Sequence, residues 1–141
     1  MRLMSWCLFL FFGLTILQAE GGRDFAGRYA ISNVVDNGDN TENATLTVRL
    51  FNYSGHDIAG ARLLLLAGPP GPVETEISAH LTLSNHTDQK VQADVSVPAP
   101  ELDRWQHGAS PRLAMEFTGD DGQLIRRPVE LVRDPILAEA Q

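Results

Sequence analysis

Val73-Glu74-Thr75-Glu76-Ile77-Ser78-Ala79-His80-Leu81-Thr82-Leu83-Ser84 is the stretch that decides the fold class. Its period is two: Val73, Thr75, Ile77, Ala79, Leu81 and Leu83 fall on one side, and Glu74, Glu76, Ser78, His80, Thr82 and Ser84 on the other. Successive side chains point to opposite faces only in an extended chain, so this segment reads as a strand with one face toward a core. The turn formers Asn85-His86-Thr87-Asp88 follow, and the alternation then resumes. Val91, Ala93, Val95 and Val97 face inward, while Lys90, Gln92, Asp94 and Ser96 face outward.

Upstream, the same reading gives strands over 28–35, 44–53 and 58–67. The loop Asp36–Asn43 and the turn Ser54-Gly55-His56-Asp57 separate them. Leu63-Leu64-Leu65-Leu66 is apolar on both faces, which marks a strand central in its sheet or covered on both sides. Gly68-Pro69-Pro70-Gly71-Pro72 interrupts regular structure. Downstream, Pro98-Ala99-Pro100 ends the fifth strand, and 101–107 reads as one or two helical turns with Leu102 and Trp105 on one face. Strands over 112–118 and 123–132 follow, joined by the hairpin signal Asp120-Asp121-Gly122. Pro128 cannot donate to a ladder, so the last strand is expected at an edge or a bulge.

Seven short strands with one crossover, between the fifth and sixth, predict an all-β domain. The expected architecture is an antiparallel, two-sheet immunoglobulin-like or fibronectin type III-like sandwich over residues 28–133. Residues 20–27 are expected to be a flexible lead-in and 134–141 a loose tail.

The N-terminus carries a different signal. Arg2 is the only charge before Glu20, and Cys7–Leu17 is an almost continuous apolar run. Roughly 20 apolar residues are needed to span a bilayer, so this run suits a secretory signal instead. Leu17-Gln18-Ala19 places a small residue before Glu20, and cleavage is expected after Ala19, giving a secreted or periplasmic protein. Cys7, the lone cysteine of the chain, leaves with the leader. The remainder then has no thiol for a disulfide, a thiolate metal site or a cysteine nucleophile.

Removing residues 1–19 from the 141 leaves 122, enough for one domain with a core that needs no staples. The formal net charge of −7 becomes −8 without Arg2, which makes nucleic acid and anionic membrane surfaces poor partners. Asn43-Ala44-Thr45, Asn52-Tyr53-Ser54 and Asn85-His86-Thr87 match the glycan-acceptor triplet, although turns favour these residue types in any case.

Chemistry-bearing residues gather in turns. Ser54, His56 and Asp57 contain the residue types of a hydrolase triad, but neighbours in one tight turn cannot line up nucleophile, base and carboxylate. In a sandwich of this order the turns after strands two, four and six share one end. That end would bring together His56, Asp57, His86, Asp88, Asp120 and Asp121, a candidate site for calcium through the carboxylates or zinc through the imidazoles. The loop with Asp36, Asp39, Asn40 and Glu42 lacks the spacing of a calcium loop. Glu74, Glu76 and His80 read as a solvated strand face. Trp105 is either a sugar-stacking platform or a plug for the open end of the core.

Leu50-Phe51-Asn52-Tyr53-Ser54-Gly55-His56-Asp57-Ile58-Ala59-Gly60-Ala61-Arg62-Leu63 resembles the strand, Asn-x-Ser-Gly, strand turn of bacterial extracellular immunoglobulin-like modules such as the CARDB and NEW3 families. Val95-Ser96-Val97-Pro98, followed by Trp105 and Gly108, is similar to them as well. The resemblance implies accessory, spacer or binding roles and brings no catalytic residues. The expected function is therefore a non-catalytic exported module that binds a protein or glycan of the envelope or extracellular space through a loop end or an edge strand. Two alternatives remain open: a carbohydrate-binding module, with or without calcium, using Trp105, and a metal-dependent enzyme at the His56–His86 end.

Overall fold

The computed structural model describes residues 24–66 and 74–139. The expected leader and the Gly68–Pro72 break lie outside the described residues. Seven strands and two short helices follow one another: β1 (Phe25–Asp36), β2 (Thr41–Asn52), β3 (Ile58–Leu66), β4 (Glu74–Leu83), β5 (Asp88–Pro98), α1 (Ala99–Gln106), β6 (Arg112–Thr118), β7 (Leu124–Arg133) and α2 (Ile136–Glu139). No helix among the described residues is long and apolar enough to cross a membrane.

All seven strands hydrogen-bond into one sheet of order β4-β3-β6-β7-β1-β2-β5. The two edge strands, β4 and β5, are consecutive in the chain and joined by a tight turn, so the sheet curls until its ends nearly meet. Every pair is antiparallel except β1 with β7, which run parallel from Phe25↔Val129 to Tyr29↔Arg133. This corrects the all-antiparallel expectation. The last strand enters by a hairpin with β6 and offers its other edge to β1, whose direction is already set by its antiparallel partner β2.

Inward residues close the core. Phe25, Tyr29, Leu46, Val48, Leu50, Leu63, Leu65, Leu81, Leu83, Val91, Val95, Leu113 and Met115 are all buried in one cluster. The period-two positions of β5 and β6 fall where the alternation puts them, as do Leu81 and Leu83 of β4. Leu63, Leu64 and Leu65 are all buried, and β3 has a neighbour on each side, in line with its two-sided apolar sequence.

Three other expectations change. The lead-in is not flexible throughout: β1 begins at Phe25, whose ring is fully buried and meets Phe117 edge-on at 5.8 Å. Gly27 belongs to this strand because a Cβ there would lie 2.7 Å from the Arg49 carbonyl oxygen. Second, β7 is not an edge strand, since it lies between β6 and β1. Pro128 is tolerated because pairing with β1 starts one residue later, at Val129. Third, the tail is partly ordered: α2 forms one turn after Asp134, whose N–H donates to the Tyr29 carbonyl at 2.8 Å.

The edges differ in regularity. The β3–β4 ladder shifts register three times, with Gly60 (φ 65°) on β3 and His80 (φ 57°) on β4 in the left-handed region. Such bulges twist an edge and discourage further pairing. β5 pairs with β2 without a shift, from Thr41↔Pro98 to Phe51↔Asp88.

The outer face of β4-β3-β6-β7 carries alternating charge. Arg62 Nε donates to Glu76 at 2.7 Å, Arg62 Nη1 to Glu116 at 2.7 Å, and Arg126 Nη2 to Glu116 at 2.7 Å. One residue from each strand contributes, and the register sets Arg62 opposite Glu116 and Glu116 opposite Arg126. Glu116 is only 5% exposed. The Arg126 hydrogen bond, aided by Arg62, holds its carboxyl below the usual carboxylate range.

Candidate functional site

The turn end expected to gather histidines and carboxylates is built around a buried amide. Asn52 closes β2 and is fully buried. Its Nδ2 donates to the carbonyls of His56 (2.8 Å) and Leu83 (2.9 Å), while its Oδ1 accepts from the N–H (2.9 Å) and hydroxyl (2.7 Å) of Ser54. Its own backbone carbonyl accepts from His86 N–H at 2.9 Å. A single side chain therefore joins the β2–β3 turn to the end of β4. Two further bonds clasp the turns together: Gly55 N–H to Asn85 Oδ1 (3.0 Å) and Asn85 N–H to Asp57 Oδ1 (2.8 Å). An amide needs partners of both kinds when buried, and Asn52 has them.

This architecture assigns half of the candidate ligands to other tasks. Asp57 accepts from the Asn85 backbone, Asp88 pairs with Arg49, and Asp121 accepts from Gln123 N–H at 3.0 Å. His56, His86 and Asp120 are exposed. Among the described residues, no group of three or more His, Cys, Asp or Glu side chains is placed to hold a metal ion. His86 takes a left-handed backbone (φ 59°), a turn geometry that histidine tolerates better than most residues. Of the three glycan-acceptor triplets, the one at Asn52 is sealed: its amide nitrogen is the donor of the hub.

Trp105 is 1% exposed, so it is the plug and not a stacking platform. Its indole N–H donates to Glu101 at 3.0 Å, and its backbone carbonyl accepts the buried Tyr29 hydroxyl at 2.8 Å. Burial pushes the Tyr29 phenol above its ordinary pKa. The Asp36–Asn43 loop closes on itself. Asp36 accepts from Gly38 N–H at 2.8 Å, and Asp39 accepts from both the N–H and hydroxyl of Thr41, the hydroxyl bond being the main cause of its lowered pKa.

A separate concave surface lies on the outer face of β2, β1 and β7. A groove of about 630 Å³ runs there. Ala26, Gly27 and Arg28 of β1 form its floor. On the β2 side stand Phe51 and Tyr53, whose rings are parallel within 4° and 6.0 Å apart. The Arg49 guanidinium lies over Phe51, 5.4 Å from its centroid, a cation–π arrangement. On the β7 side stand Val132 and Ile136, 68% and 70% exposed, and Tyr53 is itself 52% exposed. The groove is bordered by cations. Arg28 lies directly opposite Arg49, and Arg49 opposite Lys90, a row of three positive charges across β1, β2 and β5. Asp134 lies 3.3 Å from Arg28, and Asp88 pairs with Arg49, but Lys90 and Arg133 have no ion pair among the described residues.

Phe51 and Tyr53 are two residues apart and so share a face of an extended chain, but the local pattern gives no sign that β7 lies beside β1. The exposed Val132 at the end of an amphipathic strand was the available signal.

No protein-family model matches the chain, and no curated protein matches it. The X-ray structure of Northeast Structural Genomics Consortium target SoR45 is similar at a TM-score of 0.44, with 7% identity over 75% of this chain and 80% of that one. That likeness is too distant to bear on fold or function, and the resemblance of Leu50–Leu63 to extracellular immunoglobulin-like modules gains no support from these comparisons.

Proposed function

We propose that this protein is an exported, non-catalytic binding module, and that its contact surface is the groove over β1 between Phe51–Tyr53 and Val132–Ile136. The observation that carries the reading is the combination at one place of an exposed ring stacked on a half-buried one, exposed aliphatics and a row of cations on a chain of net charge −7. Scattered exposed apolar residues are ordinary, whereas a grooved cluster bordered by charge marks a recognition surface. The partner is an acidic component of the envelope or extracellular space that presents an apolar face to Tyr53 and a negative group to Arg28 and Arg133. The same reading takes the sheet as an immunoglobulin-like sandwich with layers β5-β2-β1 and β4-β3-β6-β7, joined along the parallel β1–β7 seam.

Amide-resolved NMR titration with envelope and secreted fractions tests this. Shifts are expected at residues 26–28, 51–53 and 132–134, with loss of binding in Tyr53→Ala and Arg28→Ala. Perturbation confined to the 54–57 and 84–87 turns, or binding indifferent to both substitutions, would refute it.

A further inference from the structure

We propose that a second copy of this chain docks along β5, forming an antiparallel β5–β5 ladder centred on Gln92. The inference is independent of the groove. β5 ends the sheet, its ladder with β2 runs without a bulge, and it forms no ladder with β4, so beyond the β4–β5 turn, where the two ends of the sheet draw close, its outer edge offers a row of N–H and C=O groups. Such an edge is a template for another strand. β4, the other edge, is broken by register shifts, so β5 is the edge suited to pairing.

The occupant is indicated by the pattern of β5 itself. In an antiparallel pair, directly opposed residues share a face, so only a two-fold centred on a residue keeps both cores on the same side. Centring on Gln92 sets Lys90 opposite the other copy's Asp94, twice, and Val91 opposite Ala93, twice. Neighbouring registers are worse. Centring on Val91 sets Asp88 against Asp94, centring on Lys90 sets the lysines against each other, and centring on Asp94 sets the aspartates against each other. Centring on Ala93 leaves Lys90 opposite Ser96. The Gln92 register also pairs Asp88 with Ser96 and ends the ladder before Pro98, which has no N–H to give. Lys90 is exposed and has no ion pair within its own chain among the described residues. One oxygen of Asp94 accepts the Thr45 hydroxyl at 2.9 Å, which leaves the other for an ammonium group.

Lys90 is the lone lysine of the chain, which makes the test specific. Protein expressed from the full-length gene is purified as the cell processes it, in ¹⁴N and ¹⁵N forms, mixed, and treated with a carbodiimide that joins amines to carboxylates at zero length. A mixed-isotope Lys90–Asp94 peptide is expected. Within one strand these residues are about 13 Å apart, too far for that bond. Sedimentation at low salt should show a monomer–dimer equilibrium that Lys90→Asp weakens about tenfold to a hundredfold, from two attractive cross-strand pairs made repulsive. Lys90→Asp combined with Asp94→Lys should restore it, and a melting curve for each variant checks that the fold is intact. A strictly monomeric protein at about 1 mM, a dimer indifferent to Lys90→Asp, or crosslinks only at other carboxylates would each overturn the proposal.

Discussion

Replacing Asn52 with alanine removes four hydrogen bonds at once, but they are not equal. The bond to the Leu83 carbonyl is buried, whereas those to His56 and Ser54 reach partners that water can resolvate. An orphaned buried acceptor costs about 1–3 kcal/mol, and each partly exposed bond lost costs about 0.5 kcal/mol, at the low end of the usual net value. Adding a small void from the lost amide gives about 3–4 kcal/mol in total. For a domain of this size that lowers Tm by roughly 10–15 °C. Urea unfolding and calorimetry read the number, and Ser54→Ala is the control, expected to cost only about 0.5–1.5 kcal/mol because the hydroxyl's bonds, to Asn52 Oδ1 and to the carbonyl and N–H of His56, are all within reach of water. Hydrogen exchange should localise the effect, with the His86 amide losing protection because its acceptor is the Asn52 carbonyl. Asn52→Asp keeps the acceptor for Ser54 but turns an oxygen toward two carbonyls, and should be at least as damaging as alanine. If Asn52→Ala costs no more than Ser54→Ala, the buried amide is not what joins the two turns.

Tyr29→Phe deprives the Trp105 carbonyl of its buried donor and should cost about 1–3 kcal/mol at neutral pH. Because burial raises the phenol's pKa, the folded state holds this proton more tightly than the unfolded chain. Its stabilisation is complete below pH about 10 and is lost as pH rises through the folded value, so Tyr29→Phe should flatten the alkaline limb of a stability–pH curve. Glu116 has the opposite sign: its carboxyl is held low by Arg126 and Arg62, so its contribution is present above the ordinary carboxylate pKa and lost as pH falls through the lowered one. Urea midpoints between pH 7 and pH 3 should therefore fall less in Glu116→Gln than in the parent protein. Gly27→Ala forces a methyl against the Arg49 carbonyl and should cost about 1–3 kcal/mol by thermal melting, and a neutral result would mean that β1 and β2 separate there freely.

Much of the sheet was legible because one-sided burial imposes a period of two. β6 matches its expected range, and the Leu63–Leu65 run correctly announced a strand with neighbours on both sides. Ala26 and Gly27 hid the start of β1, since small residues carry little alternation signal. Pro128 misled about the edge because the rule concerns a missing N–H, and whether that N–H faces a partner depends on where β1 begins. The turn end was legible as a place but not as a function. Asp, Asn and Ser serve metals and turns with the same oxygens, and only the folded register reveals that Asp57 and Asp121 are occupied with backbone N–H groups. The groove depends on a pairing between strands some hundred residues apart, which local pattern does not encode.

The parallel seam has a consequence under load. β1 is entered from the Phe25 end and β7 is left at the Arg133 end, so tension applied to the two flanking segments pulls these neighbours in opposite directions along a shared axis. The rungs from Phe25↔Val129 to Tyr29↔Arg133 then bear the force together, in shear, instead of opening one after another as in a peeled hairpin. The Asp134 N–H bond to Tyr29 and the Arg28–Asp134 ion pair extend that clamp by one residue. Rupture under tension is governed by the barrier to this concerted slip and not by overall stability, so pulling the domain by its two flanking segments should need more force than peeling the same number of rungs one at a time.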